Sequence, residues 1–427
     1  MSFRLVIVRR SLFAGAVLVS LAVQSAEPLT LDEAQRIAVS RSQQVVANEA
    51  SAASARRVAQ AAGQLPDPVL KAGIDNLPVN GPDRFSLTRD FMTMRRIGVM
   101  QELPGSDKRR LRAQRAAQDA LRLQAERDLL VVNARRETAL AWLDRRYALA
   151  QRNVLLRQAD EARLQVEAAD ASYRGARGSQ ADVFAARTAV SLIEDKLNLV
   201  DTQARNAALM LARWVGADAQ RLPSGTVPWQ NTELDKGFTI EHLEDHPALA
   251  VAAVLVQAAQ LDLALAQAGK RPDWTVEASY SQRGPAYSNM LSVGVSVPLQ
   301  LDRANRQDQE VGARQAELDA ALARYEDLLR SEEAEVSVML NDWRNGKTRV
   351  DRFGASLLPL AQQRTSAALA AYRGGKGELA TVLAARRDEL ELQMQALTVE
   401  LDTARAWARL NFLTAGHSMA TGIGSQP

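Results

Sequence analysis

The chain has 427 residues, a formal net charge of +3 and no cysteine. The absence of cysteine excludes a disulfide framework, thiol chemistry and a lipid-modified amino-terminal cysteine. The three arginines within residues 1–26 account for the charge excess, because the residues after them carry 50 basic and 50 acidic side chains of the chain's 53 and 50. This balance leaves no basic character that would support a nucleic-acid partner.

The first 26 residues are predicted to be a secretory signal peptide. Arginines precede an apolar run at residues 12–23, and small residues follow at Ser25 and Ala26, where cleavage is expected. The competing interpretation is a membrane anchor, but the run is about a dozen residues long and a spanning helix needs roughly 20. Beyond residue 26 no uninterrupted run of 18 apolar residues occurs. Insertion of the mature chain into a membrane would therefore require β-strands.

A helical pattern followed by a pair of strand patterns occurs twice. The first helix is predicted from Thr30, whose spacing to Glu33 is that of a capping box, to Ala62, and the second from about Thr239 to Gly269. A Pro-Asp dipeptide follows each helix, and the apolar period then changes to two. The predicted strands cover residues 70–75, 91–101, 274–281 and 291–299. Amphipathic strands of about ten residues have the length of outer-membrane hairpins.

The most specific feature is a glycine-bearing sequence that also occurs twice, YRGARG at 173–178 and YRGGKG at 372–377. Each copy separates two long helical patterns. We predict helices over residues 106–172 and 180–214 in the first half and over 302–371 and 378–413 in the second. A bend is expected in the helix at 302–371, because it contains Gly346, Gly354 and Pro359. Glycines at such turns are expected to supply positive φ angles. The chain is therefore predicted to be an internal duplication.

Helix lengths predict how each half is arranged. A helix of about 68 residues spans roughly 100 Å, whereas a return helix of about 35 residues spans roughly 52 Å. The return helix alone is too short to run the length of the long helix. The helix at residues 30–62 is therefore expected to stack end to end with the return helix, so that the two together lie along the long helix. The predicted divisions are a signal peptide, a first repeat, a mid-height linker, a second repeat and a tail, at residues 1–26, 27–214, 215–237, 238–413 and 414–427.

Four strands cannot close a barrel, and an open sheet edge in lipid leaves backbone groups unpaired. Two chains would give eight strands with a filled interior, and three chains would give twelve, the smallest closed form expected to leave a conduit. The predicted fold class is mainly α with a transmembrane β-barrel: duplicated helical hairpins form a trimeric α-barrel, and four strands per chain form a 12-stranded outer-membrane barrel. The basic runs at residues 95–96 and 108–110 would mark its lumen or its periplasmic collar.

The turn sequences YRGARGSQADVFAAR and YRGGKGELATVLAARRDELE, with the two Pro-Asp junctions, resemble the TolC family of outer-membrane efflux proteins over about residues 29–413. The stretch from LPDPVLKAGIDNLP to RIGVMQELPGSDKRR resembles the branch that serves heavy-metal resistance-nodulation-division (RND) pumps, of the CzcC and CusC kind. The resemblance implies a homotrimer in the outer membrane, in contact with its lipid, with a long periplasmic extension. The implied partners are a periplasmic adaptor (membrane fusion) protein and an inner-membrane RND pump, and no cofactor is expected.

The resemblance also implies two groups of site residues. The residues expected to dock the adaptor are Arg174, Gly175, Gly178 and Ser179 at the first turn and Arg373, Gly374, Gly375 and Gly377 at the second. Asp182 and Tyr372 match positions that hold the entrance closed, and Glu378 is a further candidate. Thr381 and Ala384 stand where some members carry acidic residues, which is a departure from the family pattern. The arginines could instead only solvate the turns or complement helix carboxyl ends.

No pattern indicates catalysis, because the chain has three histidines and neither a nucleophile elbow nor a phosphate-binding loop. His242 and His246 have an i,i+4 spacing, but no acidic or cysteine constellation accompanies them, so metal ligation is not expected. Met92, Met94 and Met100 could contact a soft metal ion, although their predicted strand position favours ordinary packing.

The predicted function is the exit duct of a tripartite RND-type efflux pump, with heavy-metal cations as the expected cargo. Within the same class, a duct for drug efflux or type I protein secretion is the alternative. From another class, the alternative is a soluble periplasmic coiled-coil adaptor. Such an adaptor would need neither the duplicated strand pairs nor four amphipathic strands of membrane length.

Overall fold

The structure is a computed structural model that describes residues 27–237, 239, 243 and 246–413. The predicted signal peptide, the tail at residues 414–427, His242 and most of the predicted start of the second repeat lie outside the described residues. In the described part, the two halves repeat one series of elements: helix, two strands and a long helical hairpin.

The first half comprises α1 (Leu31–Arg41), α2 (Gln43–Ala62), β1 (Val69–Asp75), β2 (Met94–Leu103), α3 (Ser106–Arg174) and α4 (Gln180–Val215). The second half comprises α5 (Pro247–Gly269), β3 (Trp274–Gln282), β4 (Met290–Ser296), α6 (Gln307–Arg352), α7 (Leu358–Arg373) and α8 (Leu379–Asn411). The predicted long helix, return helices and strands are thus present, with ends shifted by a few residues.

Two predicted helices are interrupted. The helix predicted from Thr30 to Ala62 breaks at Ser42, which has extended backbone angles and accepts a hydrogen bond from the Val45 N–H at its hydroxyl (3.4 Å). Serine stabilises such a break because its side chain competes for backbone donors. Where a bend was predicted in the second long helix, the structure has a π-helical turn, Phe353–Leu357, which ends two residues before Pro359. Proline lacks an N–H and crowds the preceding turn, and a π-helical turn accommodates both effects.

The helices lie side by side in a fixed order. Near the sheet the order is α2, α3, α5 and α6, and near the turns it is α4, α3, α8 and then α6 and α7. Helix α1 contacts both α3 and α4. The amino-terminal helices and α4 are therefore stacked along α3, as the helix lengths predicted.

The four strands form one antiparallel sheet in the order β1, β2, β3, β4, and its register separates an apolar face from a polar face. The apolar face carries Leu70, Ala72, Ile74, Ile97, Val99, Trp274, Val276, Ala278, Tyr280, Leu291, Val293 and Val295. On the polar face Lys71 pairs with Glu277 at 2.8 Å, and Arg96 pairs with Asp75 at 3.2 Å. Arg95 belongs to the apolar face, so the predicted basic run is divided between the two faces.

The main core lies at mid-height, where three buried tryptophan side chains meet the linker region. Trp142 on α3 donates its indole N–H to the Leu29 carbonyl oxygen at 2.9 Å. Trp343 on α6 donates to the carbonyl oxygen of Trp229 in the linker at 2.7 Å. Trp407 on α8 donates to the carbonyl oxygen of Asn231 in the linker at 3.0 Å. Buried indole N–H groups need such partners. These bonds fix Leu29 against the first half and the linker against the helices of the second half.

Helix α5 is apolar enough and long enough to cross a membrane by length and composition, with a mean hydropathy of 1.9. No uninterrupted apolar run marks this helix in the sequence, because polar residues such as Asp262 interrupt it. Asp262 pairs with Arg115 of α3 at 2.9 Å, and α5 packs between α3 and α6. These contacts assign α5 to the helical body.

Candidate functional site

The two turns that join the long helices have the same backbone hydrogen bonds. In the first, the N–H groups of Gly175, Ala176 and Arg177 donate to the carbonyl oxygens of Ala171 (3.0 Å), Tyr173 (3.0 Å) and Ser172 (2.9 Å). The N–H groups of residues 374, 375 and 376 repeat these bonds 199 positions later, at 3.0, 3.0 and 2.9 Å. This pattern is a Schellman motif, which ends a helix by satisfying its last carbonyl groups.

The motif needs one residue with a left-handed backbone, and the two turns supply different residues. Gly375 has φ +69°, whereas the first turn uses Ala176 at φ +56°. The expectation that the turn glycines supply positive φ is therefore correct for Gly375 and wrong for Gly175 and Gly374, whose φ angles are −82° and −77°. Only glycine adopts this conformation without strain, so the first turn is the more strained of the two.

Two further glycines are required by close approach. A Cβ atom at Gly178 would lie 3.1 Å from the Ser172 Cβ atom, and one at Gly377 would lie 3.1 Å from the Ala371 Cβ atom. Both distances are tighter than ordinary van der Waals contact. These glycines let the second helix of each hairpin start directly beside the end of the first.

The return helices begin differently in the two halves. Ser179 and Asp182 form a capping box: the Ser179 hydroxyl accepts from the Asp182 N–H (3.1 Å), and the Asp182 carboxylate accepts from the Ser179 N–H (2.9 Å) and hydroxyl (2.8 Å). The backbone and hydroxyl hydrogen bonds from Ser179 lower the pKa of Asp182. Glu378 takes the capping position of α8 without a side-chain hydrogen bond to the helix.

A buried apolar cluster, here called the turn cluster, holds the two hairpins together. It consists of Ala169, Val183, Ala186, Leu379 and Val382, contributed by α3, α4 and α8. Tyr372 packs against it and is half-buried. The turn cluster thus places both predicted docking groups on one surface at the same end of the helical body.

The predicted docking residues are exposed, apart from the half-buried Gly178. Arg174 forms an exposed pair with Asp170 at 2.8 Å. Two aromatic side chains beside the first turn were missed by the sequence analysis, Tyr173 at 46% and Phe184 at 54% exposure. An aromatic residue next to a turn sequence is the signal that could have found them.

Above the turns, a groove of about 460 Å³ lies between α3, α4 and α8. Its apolar lining includes Leu192, Ile193, Leu383 and Leu390, and its cations are Lys196, Arg386 and Arg387. Arg386 contacts Glu161 at 2.9 Å. The groove requires three helices from both halves, so no local sequence pattern could have indicated it.

In the described part of the chain, no group of three or more His, Asp or Glu side chains could hold a metal ion. His246 is buried, and its Nε2 atom lies 3.5 Å from Glu332. Burial lowers the pKa of His246, and this effect is larger than the opposite effect of Glu332. The imidazole is therefore neutral at pH 7. Met94 and Met100 lie in β2, as predicted, but Met92 lies in the preceding loop.

A sequence profile of the outer membrane efflux protein family matches residues 241–416. Among curated proteins, the chain is similar to the pyoverdine export outer membrane protein OpmQ of Pseudomonas aeruginosa, with 27% identity over 229 residues. That alignment covers 49% of this chain and 46% of OpmQ, so the chain spans about half the length of this relative.

Two solved structures have a similar fold over most of the chain. The outer-membrane channel OprN has a TM-score of 0.76 and 17% identity, with 90% of each chain covered. CusC, whose structures concern folding and transmembrane channel formation, has a TM-score of 0.76 and 15% identity, with 90% of this chain and 92% of CusC covered. The fold is therefore that of these outer-membrane channels.

Proposed function

We propose that this chain is the outer-membrane exit duct of a tripartite RND-type efflux pump. It assembles as a homotrimer, with a 12-stranded barrel in the outer membrane and a helical barrel in the periplasm. It carries out no catalytic step, and cargo passes through the lumen while the inner-membrane pump supplies the energy.

The observation that carries this proposal is the position of the open edges. Strand β1 and helices α2 and α4 end the layers on one side, and β4, α6 and α7 end them on the other. Apolar side chains are exposed on both sets of edge helices, such as Val58 and Leu209 on one side and Val338 and Leu360 on the other. If the side of one chain with β1, α2 and α4 joined the side of the next chain with β4, α6 and α7, the strands and the helices would pair at the same time. Repeating this contact would close a ring.

The turn surface is the proposed docking site for the periplasmic adaptor. Its residues are those predicted from the sequence, with Tyr173 and Phe184 added as apolar anchors. The groove above the turns, apolar with a cationic border, suits a helix that carries apolar and acidic side chains. Asp182, Tyr372 and Glu378 are proposed to hold the entrance closed, and adaptor binding would favour the open state only if it binds that state more tightly.

Heavy-metal cations are the proposed cargo, because the sequence at residues 65–110 resembles the branch that serves heavy-metal pumps. The polar face of the sheet balances Lys71 and Arg96 against Asp75 and Glu277. Such a face selects weakly by charge, which fits a duct whose pump supplies selectivity. The activity named for OpmQ makes export of an organic cargo the second candidate.

Engineered disulfides test the assembly, since the chain has no cysteine of its own. Ala72→Cys on β1 would be combined in turn with Leu291→Cys, Val293→Cys or Val295→Cys on β4. At least one combination is expected to give a covalent trimer on a denaturing gel, because neighbouring strands of a closed barrel lie within disulfide reach. Val99→Cys on the central strand β2 with Val293→Cys is the control and should give none.

Cargo is tested in a strain lacking the gene and complemented with it. Tolerance to copper, silver, zinc, cobalt and cadmium would be compared with tolerance to detergents and dyes. Loss of metal tolerance alone supports the metal proposal. Unchanged metal tolerance contradicts it, and recovery of the protein as a soluble periplasmic monomer contradicts the duct itself.

A further inference from the structure

Arg95 ends the apolar face of the sheet at the side away from the helices. It pairs in register with Ile74 on β1 and Gln282 on β3, and the next residues on its face of β2 are Ile97 and Val99. A permanent positive charge therefore directly adjoins a row of exposed apolar side chains. Such a position is costly in lipid unless the charge reaches a polar partner.

Two aromatic residues on the same face give a scale for the height of Arg95. Trp274 lies at the end of β3 nearest the helices, and Tyr280 lies six residues further along that strand. Six residues span roughly 20 Å along a strand, which is roughly 15 Å of height at the usual tilt of about 40°, and the apolar band of an outer-membrane barrel is about 25 Å tall. Tyr280 pairs with Ile97, so Arg95 lies two residues, or roughly 7 Å along the strand, beyond Tyr280. Arg95 is therefore near the outer limit of the apolar band, where a long arginine side chain reaches the lipid headgroups.

Within the described part of the chain, no carboxylate lies within ion-pair distance of Arg95, and its buried Nε atom has no hydrogen-bond partner. The neighbouring Arg96 provides the contrast, since it faces the other way and contacts Asp75 and Glu277. Strand β2 lies inside the sheet, between β1 and β3. A second chain joined at β1 or β4 would therefore leave the apolar face around Arg95 open to lipid.

The loops beside Arg95 add further positive charge and apolar surface. Arg283 follows Gln282, donates to the Phe91 carbonyl oxygen, and has its own buried Nε atom without a partner. Arg84 stacks over the exposed Phe85 ring, 4.7 Å from its centroid. In residues 75–96 and 283–289, five arginines stand against three aspartates.

Given the proposed outer-membrane position, we propose that Arg95 binds the phosphate of a membrane lipid headgroup at the outer rim, with Arg283 adding positive charge beside it. A guanidinium matches phosphate in a bidentate geometry, and the adjoining apolar face accommodates the acyl chains. The lipid is a phosphate-bearing lipid of the leaflet that surrounds this rim. It completes the outer boundary of the sheet and fixes the depth of the chain in the membrane.

The test uses the full chain, extracted from membranes in detergent and analysed by native mass spectrometry with added lipid. The probes are bisphosphorylated lipid A, its dephosphorylated form, phosphatidylcholine and inorganic phosphate. Wild type is expected to retain lipid A, and Arg95→Gln is expected to lose about tenfold in affinity for it, the usual scale of a charge-assisted contact. Arg96→Gln, with the same loss of charge on the opposite face, should stay within about twofold.

Equal retention of lipid A by wild type and Arg95→Gln overturns the proposal, as does equal retention of the dephosphorylated form. Inorganic phosphate that competes fully at millimolar concentration would show a free-anion site and would also overturn it. If Arg95→Gln does not assemble, Arg95→Lys decides, with an expected loss of about threefold because lysine keeps the charge but not the bidentate geometry. Failure of wild type to form membrane-extracted trimers contradicts the proposed function instead.

Discussion

Ala176 and Gly375 occupy the same position in the two turns, and both have a left-handed backbone, with φ of +56° and +69°. One repeat thus meets the requirement of the Schellman motif with the residue that adopts it freely, and the other meets it with a residue that is strained there. The two turns of the proposed docking surface have the same backbone hydrogen bonds but differ in backbone strain at this position.

Exchange at this position should change turn stability in opposite directions. Ala176→Gly is expected to stabilise the first turn and Gly375→Ala to destabilise the second, each by about 1 kcal/mol or less, since a left-handed conformation costs an L-residue about that amount. Hydrogen exchange at the turn amides measures both effects. Gly374→Ala is the control, because its φ is −77° and its added Cβ atom would meet only ordinary contact at 3.4 Å. Equal effects of Gly374→Ala and Gly375→Ala would contradict the assignment.

The capping box of α4 should be stronger than the start of α8. Ser179→Ala is expected to cost about 1 kcal/mol in the local stability of the first turn of α4. Glu378→Ala, at the equivalent position without a capping bond, should change the start of α8 by less than about 0.5 kcal/mol. Hydrogen exchange of the first amides of each helix measures the difference.

The low pKa of Asp182 predicts an acid limit for the same cap. A carboxyl group whose pKa is lowered on folding stabilises the folded state above its unfolded pKa, about 3.9, and that contribution is lost as pH falls through the folded value. Protection at the start of α4 should therefore be constant from pH 5 to 7 and decrease only below about pH 4. Asp182→Asn should abolish this dependence, and an unchanged profile in that variant would show that Asp182 is not the titrating group.

The junction between the sheet and the helices should depend on one ion pair. The Lys108 ammonium donates to Asp273 at 2.8 Å and to the Arg271 carbonyl oxygen at 2.5 Å, while the Gly105 N–H donates to the same Asp273 oxygen at 3.2 Å. Lys108→Met is expected to destabilise the assembled protein by about 2 kcal/mol, because it leaves a largely buried carboxylate underpaired. Arg110→Met, which removes an exposed pair with Asp107, should cost under about 0.5 kcal/mol in the same thermal unfolding assay.

His246 should make mid-height stability sensitive to mild acid. Burial lowers its pKa below the ordinary 6.5, although Glu332 and Glu335 act in the opposite direction and Arg136 adds to the lowering. The unfolded chain therefore takes up a proton first as pH falls below 6.5, and stability decreases by up to about 1.4 kcal/mol per pH unit until the folded pKa is reached. Denaturant unfolding of wild type and His246→Gln at pH 8, 6.5 and 5.5 tests this. A decrease of equal size in both would exclude His246 as its source.

The duplication, the long helices, the strand pairs and the two turns could all be predicted from the sequence, because each depends on local rules. Apolar periods of 3.6 and 2, Pro-Asp after a helix and glycines within a turn each act within a few residues. Their repetition, at an offset of 199 residues for the turn glycines, indicates the duplication. The irregular turn before Pro359 also follows from backbone chemistry, since proline lacks an N–H and crowds the preceding turn. The break at Ser42 was missed because serine is tolerated within many helices, and a helical period continues on both sides of it.

The tertiary structure decided which groups meet across the chain, because those contacts join residues that are far apart in sequence. It brought both turns onto one cluster, opened a groove between helices of both halves and left the edges of the sheet and of the helical body on matching sides. Strand alternation alone places Arg95 and Arg96 on opposite faces. Only the packed sheet provides Arg96 with Asp75 and Glu277 and leaves Arg95 beside apolar neighbours, since partners come from adjacent strands and not from the local sequence.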